Sequence, residues 1–126
     1  MTREEWQKYI EETYSANAEY VFERYPDTCV FRHESNRKWF AVIMEVERKS
    51  LGLEGDGRIL LLNTKCDFIL ISSYLSEKGH FPAYHMNKAH WISTALDGAV
   101  DEDRIRLLIE MSFESTKPKR KTPKKL

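Results

Sequence analysis

Apolar side chains recur at helical spacing at the start of the chain. Five residues share this spacing: Trp6, Tyr9, Ile10, Thr13 and Tyr14. Thr2 followed by Glu5 has the spacing of a capping box, so the pattern predicts a helix over residues 3–15. Residues 20–25 show no sustained period, and we expect a short strand or an irregular segment there, ended by Pro26.

Two strand-like runs follow this segment. Residues 28–33 and 38–47 are rich in β-branched and aromatic side chains, and the turn-forming residues 34–37 separate them, which predicts a β-hairpin. Alternation along the second run predicts one face with Trp39, Ala41 and Ile43 and another face with Phe40, Val42, Met44 and Val46. Because both faces are apolar, we expect this strand in the middle of a sheet.

The chain then predicts a strand and a second helix. A strand is expected over residues 58–63, after a long glycine-containing connection over 48–57. Asp67 can cap a helix that ends near Gly79. Its expected docking stripe is formed by four side chains: Phe68, Ile71, Tyr74 and Leu75.

A final strand and a third helix complete the pattern. The strand is predicted over residues 91–96. Acidic residues at 101–103 mark the start of the helix, where carboxylates complement the helix dipole. The face expected to pack against the sheet carries Ile105, Leu108, Ile109 and Ser112.

This order of elements predicts an α+β fold. The strands are joined by short hairpins, and the only strand-helix-strand crossover is over 58–96, so a doubly wound parallel sheet is disfavoured. We expect a two-layer sandwich in which helices cover one face of an antiparallel sheet.

Length and composition limit the kinds of protein that this chain can be. The chain has 126 residues, 41% of them apolar, which suits one domain with one core. Its charged start is unlike a signal peptide, and no run of about 18 apolar residues is present, so we expect a cytoplasmic protein without a membrane partner. We also expect a monomer. Cys29 and Cys66 lie far apart in apolar surroundings, which predicts buried free thiols.

The formal net charge of zero conceals an uneven distribution. Residues 117–126 hold six of the twenty cations and no acid, and we expect them to form a disordered basic tail after a domain over 1–116. The domain itself has a balance of minus six. Within it, residues 27–95 carry nine cations against eight acids, so an anion-binding surface is expected there or in the tail.

The segment HFPAYHMNKAHW, residues 80–91, collects three histidines. They are spaced five residues apart, so neither a helix nor a strand brings neighbouring pairs to one face, and we predict no metal site. The chain carries no nucleophile signature or cofactor-binding loop. We therefore expect no catalytic residues and no cofactor. An enzyme or metal protein that uses His85 and His90 stays as an alternative.

Several blocks of the sequence resemble the MmcQ/YjbR family of small bacterial proteins. These blocks are KWFAVIMEV, LLLNTKCD, PAYHMNKAHWI, LDG and MSFE, in this order over about residues 18–116. The resemblance implies a fold similar to the frataxin and secretion-chaperone groups. It also implies likeness to double-wing DNA-binding proteins, although the family has no assigned biochemical activity. One departure is Phe68, where many members of the family have proline after KCD.

The resemblance also selects polar positions for binding. With residues 28–47 and 79–90 as two wings, the candidate nucleic-acid-binding residues are Arg32, Arg37, Lys38, Lys65, His85, Asn87, Lys88 and His90. The cations would contact phosphates, and Asn87 would be available to a base edge. The same residues have a purely structural interpretation as solvated strand ends and loop anchors. DNA and another protein are the candidate partners, the second through a chaperone-like use of the sheet.

Overall fold

The computed structural model describes residues 1–119, so residues 120–126 of the predicted basic tail lie outside the described residues. It contains α1 (Arg3–Tyr14), β1 (Cys29–Arg32), β2 (Trp39–Glu47), a 3-10 helix (Arg48–Leu51), β3 (Arg58–Lys65), α2 (Phe68–Leu75), β4 (His80–Pro82), β5 (Trp91–Ala95) and α3 (Glu102–Thr116). The predicted elements all appear in the predicted order.

The five strands form one antiparallel sheet in the order β1-β2-β3-β5-β4. β2 and β3 are interior strands, which confirms the position expected from the two apolar faces of β2. α2 lies between β3 and β4, and β5 then returns between those two strands. The predicted α+β architecture is therefore confirmed.

Helices cover one face of the sheet, called the helix face below. The buried cluster there includes Trp6 and Ile10 of α1, Ile105 and Ile109 of α3, and Phe31 of β1. Fully burying each of these large side chains contributes about 1.5–3 kcal/mol, so this layer is the main core.

Local sequence signals define the helix starts. The hydroxyl of Thr2 accepts a hydrogen bond from the Glu5 amide at 3.2 Å, and the Glu5 carboxylate accepts one from the Thr2 amide at 2.9 Å, which confirms the capping box. Asp67 and Asp101 cap α2 and α3 through their carboxylates.

The opposite side of the sheet, called the open face below, carries no α-helix among the described elements. Its buried floor consists of Val30, Val42, Met44, Val46, Ile59, Leu61 and Ala95. Side chains from the 3-10 helix and from irregular segments pack over parts of this floor, including Leu51, Phe22 and Tyr84. The side chains around the buried floor of β2 leave a groove between them.

A β-bulge corrects the predicted faces of Trp39 and Phe40. Cys29 to Phe31 pair with Ile43 to Ala41 in regular register, but Arg32 pairs with Trp39, so one extra residue is inserted in β2. As a result Phe40 lies in the core of the helix face, and Trp39 packs on the open face with Val42 and Met44. The prediction placed each of these two aromatic side chains on the wrong face.

Two further predictions are corrected near α2. Ile71 and Tyr74 pack inward as expected, but Phe68 is 69% exposed and Leu75 is 37% exposed, so neither belongs to a buried stripe. Strand β4 was expected to be part of a loop, because three residues are too few to show a period.

Both cysteines are free and buried, as predicted, and burial raises the pKa of each thiol. Within residues 1–119 no helix combines the length and the apolar character that crossing a membrane requires.

Candidate functional site

The connectivity brings both predicted wings to one end of the sheet. β1 ends and β2 begins at this end, as shown by the pairing of Arg32 with Trp39, and β3 ends opposite the start of β5, where Lys65 pairs with Trp91. The end that holds the 33–38 turn and the 83–90 loop is called the basic end below. It contains seven of the eight predicted binding residues: Arg32, Arg37, Lys38, Lys65, Asn87, Lys88 and His90.

The first wing is anchored to the end of α3. The Nε2 atom of His33 lies 3.1 Å from the carbonyl oxygen of Phe113 and 2.8 Å from the hydroxyl of Thr116. The Asn36 amide donates to the carbonyl oxygen of Thr116 at 2.9 Å. Burial lowers the pKa of His33, which favours the neutral ring. The turn is therefore held in place by buried contacts.

The two arginines of this wing share one acid. Arg32 donates two hydrogen bonds to the carboxylate of Glu19, at 2.8 and 2.7 Å, and Arg37 lies 3.3 Å from the same carboxylate. The hydrogen bond from Arg32 lowers the pKa of Glu19. Arg32 therefore has a structural role in addition to any contact with a ligand.

The three predicted lysines have no such partners. Lys38 and Lys88 are exposed, and Lys65 is half-buried at the last position of β3. None of the three forms an ion pair with another residue of the described chain. Lys117 and Lys119 follow α3 at the same end, and Lys117 lies 3.0 Å from Glu114. Solvent-facing lysines on both wings and beside β3 are thus available to an anion.

Asn87 and His90 organise the second wing. The Asn87 side-chain oxygen accepts a hydrogen bond from the Ala89 amide at 2.9 Å, and its carbonyl oxygen accepts one from Trp91 at 2.9 Å. The carbonyl oxygen of His90 accepts from the Cys66 amide at 2.8 Å, which attaches the loop to the end of β3. Both residues are exposed, so these backbone contacts leave part of each side chain accessible.

A buried polar pair, which the sequence reasoning missed, fixes the start of this loop. The Asn63 amide donates to the carbonyl oxygen of Tyr84 at 3.2 Å, the Tyr84 amide donates to the hydroxyl of Ser93 at 2.9 Å, and that hydroxyl donates to Asn63. Asn63 and Ser93 are fully buried on neighbouring strands. His85, the next residue, has a φ of 59°, which is uncommon outside glycine.

His85 belongs to the same loop, but it lies beside a groove on the open face and not with the other seven predicted residues. The groove has a volume of about 1040 Å³, with Val42, Met44 and Val46 on its floor. The rings of Tyr25 and His85 contact each other at its border, with centroids 5.5 Å apart. Phe22, Trp39, Tyr84 and Met86 complete its apolar lining. No local pattern in the sequence indicates the groove, because its walls come from three separate segments.

The three histidines of the second wing lie in different environments. His80 is buried, with its Nδ1 atom 3.0 Å from the Thr94 hydroxyl, and burial lowers its pKa. His85 borders the groove and His90 is exposed at the basic end. In the part of the chain that the structure describes, no three His, Cys, Asp or Glu side chains are grouped so that they could hold a metal ion.

Comparison with known proteins places these features in a family. The family model named YjbR matches residues 11–115. An uncharacterized Bacillus subtilis (strain 168) protein, YyaQ, is 41% identical over 117 residues, which cover 93% of this chain and 99% of that protein.

Solved structures agree with the sequence match. A crystal structure of a Pseudomonas syringae protein superimposes with a TM-score of 0.90 at 37% identity, and it covers 93% of this chain and 100% of that one. A Deinococcus radiodurans protein with a DUF419 domain shares the fold, with a TM-score of 0.58 at 22% identity over 78% of this chain and 65% of that one. The family match covers most of the chain, and three of the blocks that suggested it lie in β2, in β3 and in the 83–90 loop with the start of β5. The chain therefore belongs to the YjbR family.

Proposed function

We propose that this protein is a non-enzymatic binding module that binds nucleic acid through the basic end. The observation that carries the proposal is the convergence of both wings on either side of the end of β3, with Lys38, Lys65 and Lys88 facing solvent. Lysines contribute to nucleic-acid binding by neutralising phosphates and releasing counterions.

The spacing of the wings supports a duplex as the ligand. The first wing joins β1 and β2, and the second joins β5 and β4, so their centres are separated by three strand intervals. At about 4.8 Å an interval this distance is about 14 Å. The major groove of B-DNA is about 12 Å wide, so two wings at this separation match the phosphates that flank one groove.

Aromatic side chains accompany the cations. Trp39 begins β2 and Trp91 begins β5, and both are half-buried at the basic end. Trp91 pairs with Lys65, so the two side chains leave the same face of the sheet. Alternating aromatic and basic side chains are typical of nucleic-acid-binding surfaces, where bases stack on the rings and phosphates meet the cations.

The charge distribution favours a nucleic-acid-binding surface that is confined to the basic end. Residues 1–116 have a balance of minus six, which weakens nonspecific attraction of a polyanion to the domain as a whole. The acids are concentrated before residue 27 and after residue 95 of the domain. Affinity is therefore expected to depend on a small number of phosphate contacts at the basic end.

Two triple variants of the full chain test this proposal. In the first, Lys38, Lys65 and Lys88 are each replaced by Gln. In the matched control, Lys8, Lys49 and Lys78 are replaced by Gln, which removes the same charge from exposed positions outside the basic end. Both keep the tail, so its contribution is constant in the comparison. Binding of a labelled duplex is measured by fluorescence anisotropy at several salt concentrations.

We expect the first triple variant to lose affinity at least about tenfold at low salt, with a salt slope shallower by about 2–3 because each phosphate contact contributes about 0.9. The control should stay close to the unmodified protein. Equal losses in the two variants, or no binding by the unmodified protein at low salt, would show that the basic end does not bind DNA.

Protein binding is a second candidate function, favoured by the exposed start of α2. Phe68 is 69% exposed and Ile69 is 79% exposed, and both follow directly after the basic end of β3. Large apolar side chains that are so accessible are typical of protein interaction sites. Replacing both by Ser should leave DNA binding unchanged if they serve a protein partner. A loss of DNA affinity equal to that of the lysine variant would instead assign α2 to the nucleic-acid surface.

A further inference from the structure

We propose that the groove on the open face binds a small uncharged molecule that has a flat apolar body and one hydrogen-bonding group. The groove adjoins the basic end, because Trp39 and part of the 83–90 loop border both, but its floor lies along β2 and the proposal does not depend on DNA binding. The groove has a volume of about 1040 Å³, slightly above the range of about 300–1,000 Å³ found for small-molecule sites.

The floor of the groove requires an apolar ligand body. Val42, Met44 and Val46 supply its surface from β2. The polar side chains of the adjoining strands, Asn63 and Ser93, are fully buried and bonded to each other and to the backbone of Tyr84. The floor therefore offers no free polar partner, and a polar group placed against it would lose its hydration without compensation.

The walls of the groove favour a flat ligand. Phe22 contacts Trp39 edge to face, with ring centroids 5.8 Å apart, and His85 makes ring contacts with both Tyr25 and Tyr84. Aromatic rings arranged around an apolar floor provide both edges and faces for a planar molecule. The three segments that carry these rings are 22–28, the start of β2 and the 83–90 loop.

Free hydrogen-bonding groups border the apolar floor. The hydroxyls of Tyr25 and Tyr84 and the ring nitrogens of His85 make no hydrogen bond to any residue within 1–119, and the same holds for the hydroxyls of Thr28 and Ser50. A ligand that enters with its apolar body on the floor would leave one polar group level with these side chains. Such a division between an apolar interior and a few polar groups at the edge is typical of specific small-molecule sites.

The charges around the groove favour a neutral ligand. Arg24 and Asp27 border it with opposite charges. Glu45, Glu47 and Arg58 also border it, and Arg58 lies 3.6 Å from the Glu45 carboxylate, but strand alternation and pairing direct these side chains away from the face of Met44 and Val46. The charges nearest to the groove therefore balance. A charged ligand would lose its hydration on entering the groove, and no net opposite charge there would compensate for that loss.

Buried hydrogen bonds hold the backbone beside the groove in one conformation. The clamp of Asn63 and Ser93 holds both backbone polar groups of Tyr84, and His85 adopts its left-handed conformation directly after it. Residues in this conformation persist where the surrounding structure determines them, and they are frequent at ligand-binding sites. Because the clamp uses only the backbone of Tyr84, the side chain of Tyr84 can be removed without breaking it.

Three naphthalene compounds with one aromatic body test the proposal on the full chain. 2-Naphthol is neutral with a hydroxyl group, 1-naphthoate is an anion, and 1-naphthylmethylammonium is a cation. Each is titrated into isotope-labelled protein. NMR spectra follow binding through the chemical shifts of the Trp39 indole group and of the Tyr25 and Tyr84 amide groups. The variants are Tyr25→Ala and Tyr84→Ala. The control is Tyr20→Ala, which removes a ring of similar exposure outside the groove.

We expect saturable shifts at Trp39, Tyr25 and Tyr84 with 2-naphthol and weaker binding of both charged compounds. Each groove variant should weaken binding of 2-naphthol about fivefold, the size of one aromatic contact, and the control should not change it. The proposal is wrong if no saturable shift occurs, if a charged compound binds more tightly, or if the groove variants bind like the control. It is also wrong if the same signals shift when protein concentration alone is raised, because the occupant would then be a second copy.

Discussion

The side-chain amide of Asn63 donates a hydrogen bond of 3.2 Å to the carbonyl oxygen of Tyr84, 21 positions later in the chain. Replacing Asn63 by Ala leaves that carbonyl and the Ser93 hydroxyl without this buried partner, which should lower the free energy of unfolding by about 1–3 kcal/mol. Urea denaturation measures the loss. Asn17→Ala is the matched control, because Asn17 is exposed, and it should change stability by less than about 0.5 kcal/mol.

A double-mutant cycle with Ser93→Ala separates this network from simple loss of volume. The two substitutions remove members of one hydrogen-bonded chain, so their effects should be non-additive by more than about 0.5 kcal/mol. Strictly additive effects would mean that Asn63 and Ser93 stabilise the loop independently.

Replacing Glu19 by Gln should strengthen duplex binding if the basic end is the nucleic-acid surface. The substitution removes the carboxylate shared by Arg32 and Arg37, so both guanidinium groups become available to phosphates. The salt slope should steepen by about one for each new phosphate contact. Unfolding free energy should fall by only about 1 kcal/mol or less, because the pair is partly exposed to solvent.

Glu12→Gln is the matched control for this test. It makes the same change in net charge at an exposed position, where Glu12 lies 3.9 Å from Lys8 in α1. If both Gln variants raise DNA affinity equally, the effect is one of total charge, and the specific release of Arg32 and Arg37 is contradicted.

Stability should fall on mild acidification because of two buried histidines. Burial holds the pKa of both His33 and His80 below the ordinary value of 6.5, so the unfolded chain binds these protons at a higher pH than the folded chain does. Their contribution is complete above about pH 6.5 and is lost as pH falls through the folded-state pKa values. Urea denaturation at about pH 7.5 and about pH 5 measures this loss.

His33→Gln should reduce the loss of stability over this pH range without abolishing it, because His80 remains. The Gln side chain keeps an amide that can donate toward the end of α3. His90→Gln is the control, since His90 is exposed and holds the loop only through its backbone. A pH dependence in His33→Gln that matches the unmodified protein would assign the effect to other groups.

The local elements were predictable because their signals are local. The capping box of Thr2 and Glu5 and the cap at Asp67 lie within a few residues of the helices they start. The faces of Trp39 and Phe40 were not predictable, because the bulge depends on how β2 pairs with β1. Alternation in one strand cannot reveal an extra residue that only the partner strand defines.

The candidate binding site was predictable only where its residues carry a local signal in the sequence. The cations of the two wings are visible in the sequence, and the sheet order brings Lys38, Lys65 and Lys88 to one end. The shared acid, Glu19, lies in an irregular segment 13 residues before Arg32, and no local pattern connects them. The groove combines three distant segments, so its existence depends on tertiary structure alone.

Gly79 should tolerate substitution less well than Gly98. Both have positive φ values, 92° and 94°, so alanine strains either backbone by about 1–2 kcal/mol. A Cβ atom at Gly79 would lie 2.5 Å from Cγ2 of Val100, whereas none at Gly98 meets another atom within 4 Å. Gly79→Ala should therefore cost about 1–3 kcal/mol more than Gly98→Ala in thermal or urea unfolding. Equal costs would show that the Val100 side chain moves aside freely.

The anchoring of the first wing to Thr116 decides how the protein should be attached to a surface. The amino terminus of Met1 contacts Glu102 at the start of α3, and the basic end lies at the other end of that 15-residue helix, about 22 Å away. A sensor chip or fluorophore coupled through the amino terminus leaves the wings facing the solution. Coupling through the side chain of Lys117, directly after α3, would place the linker beside them, where it would compete with any ligand.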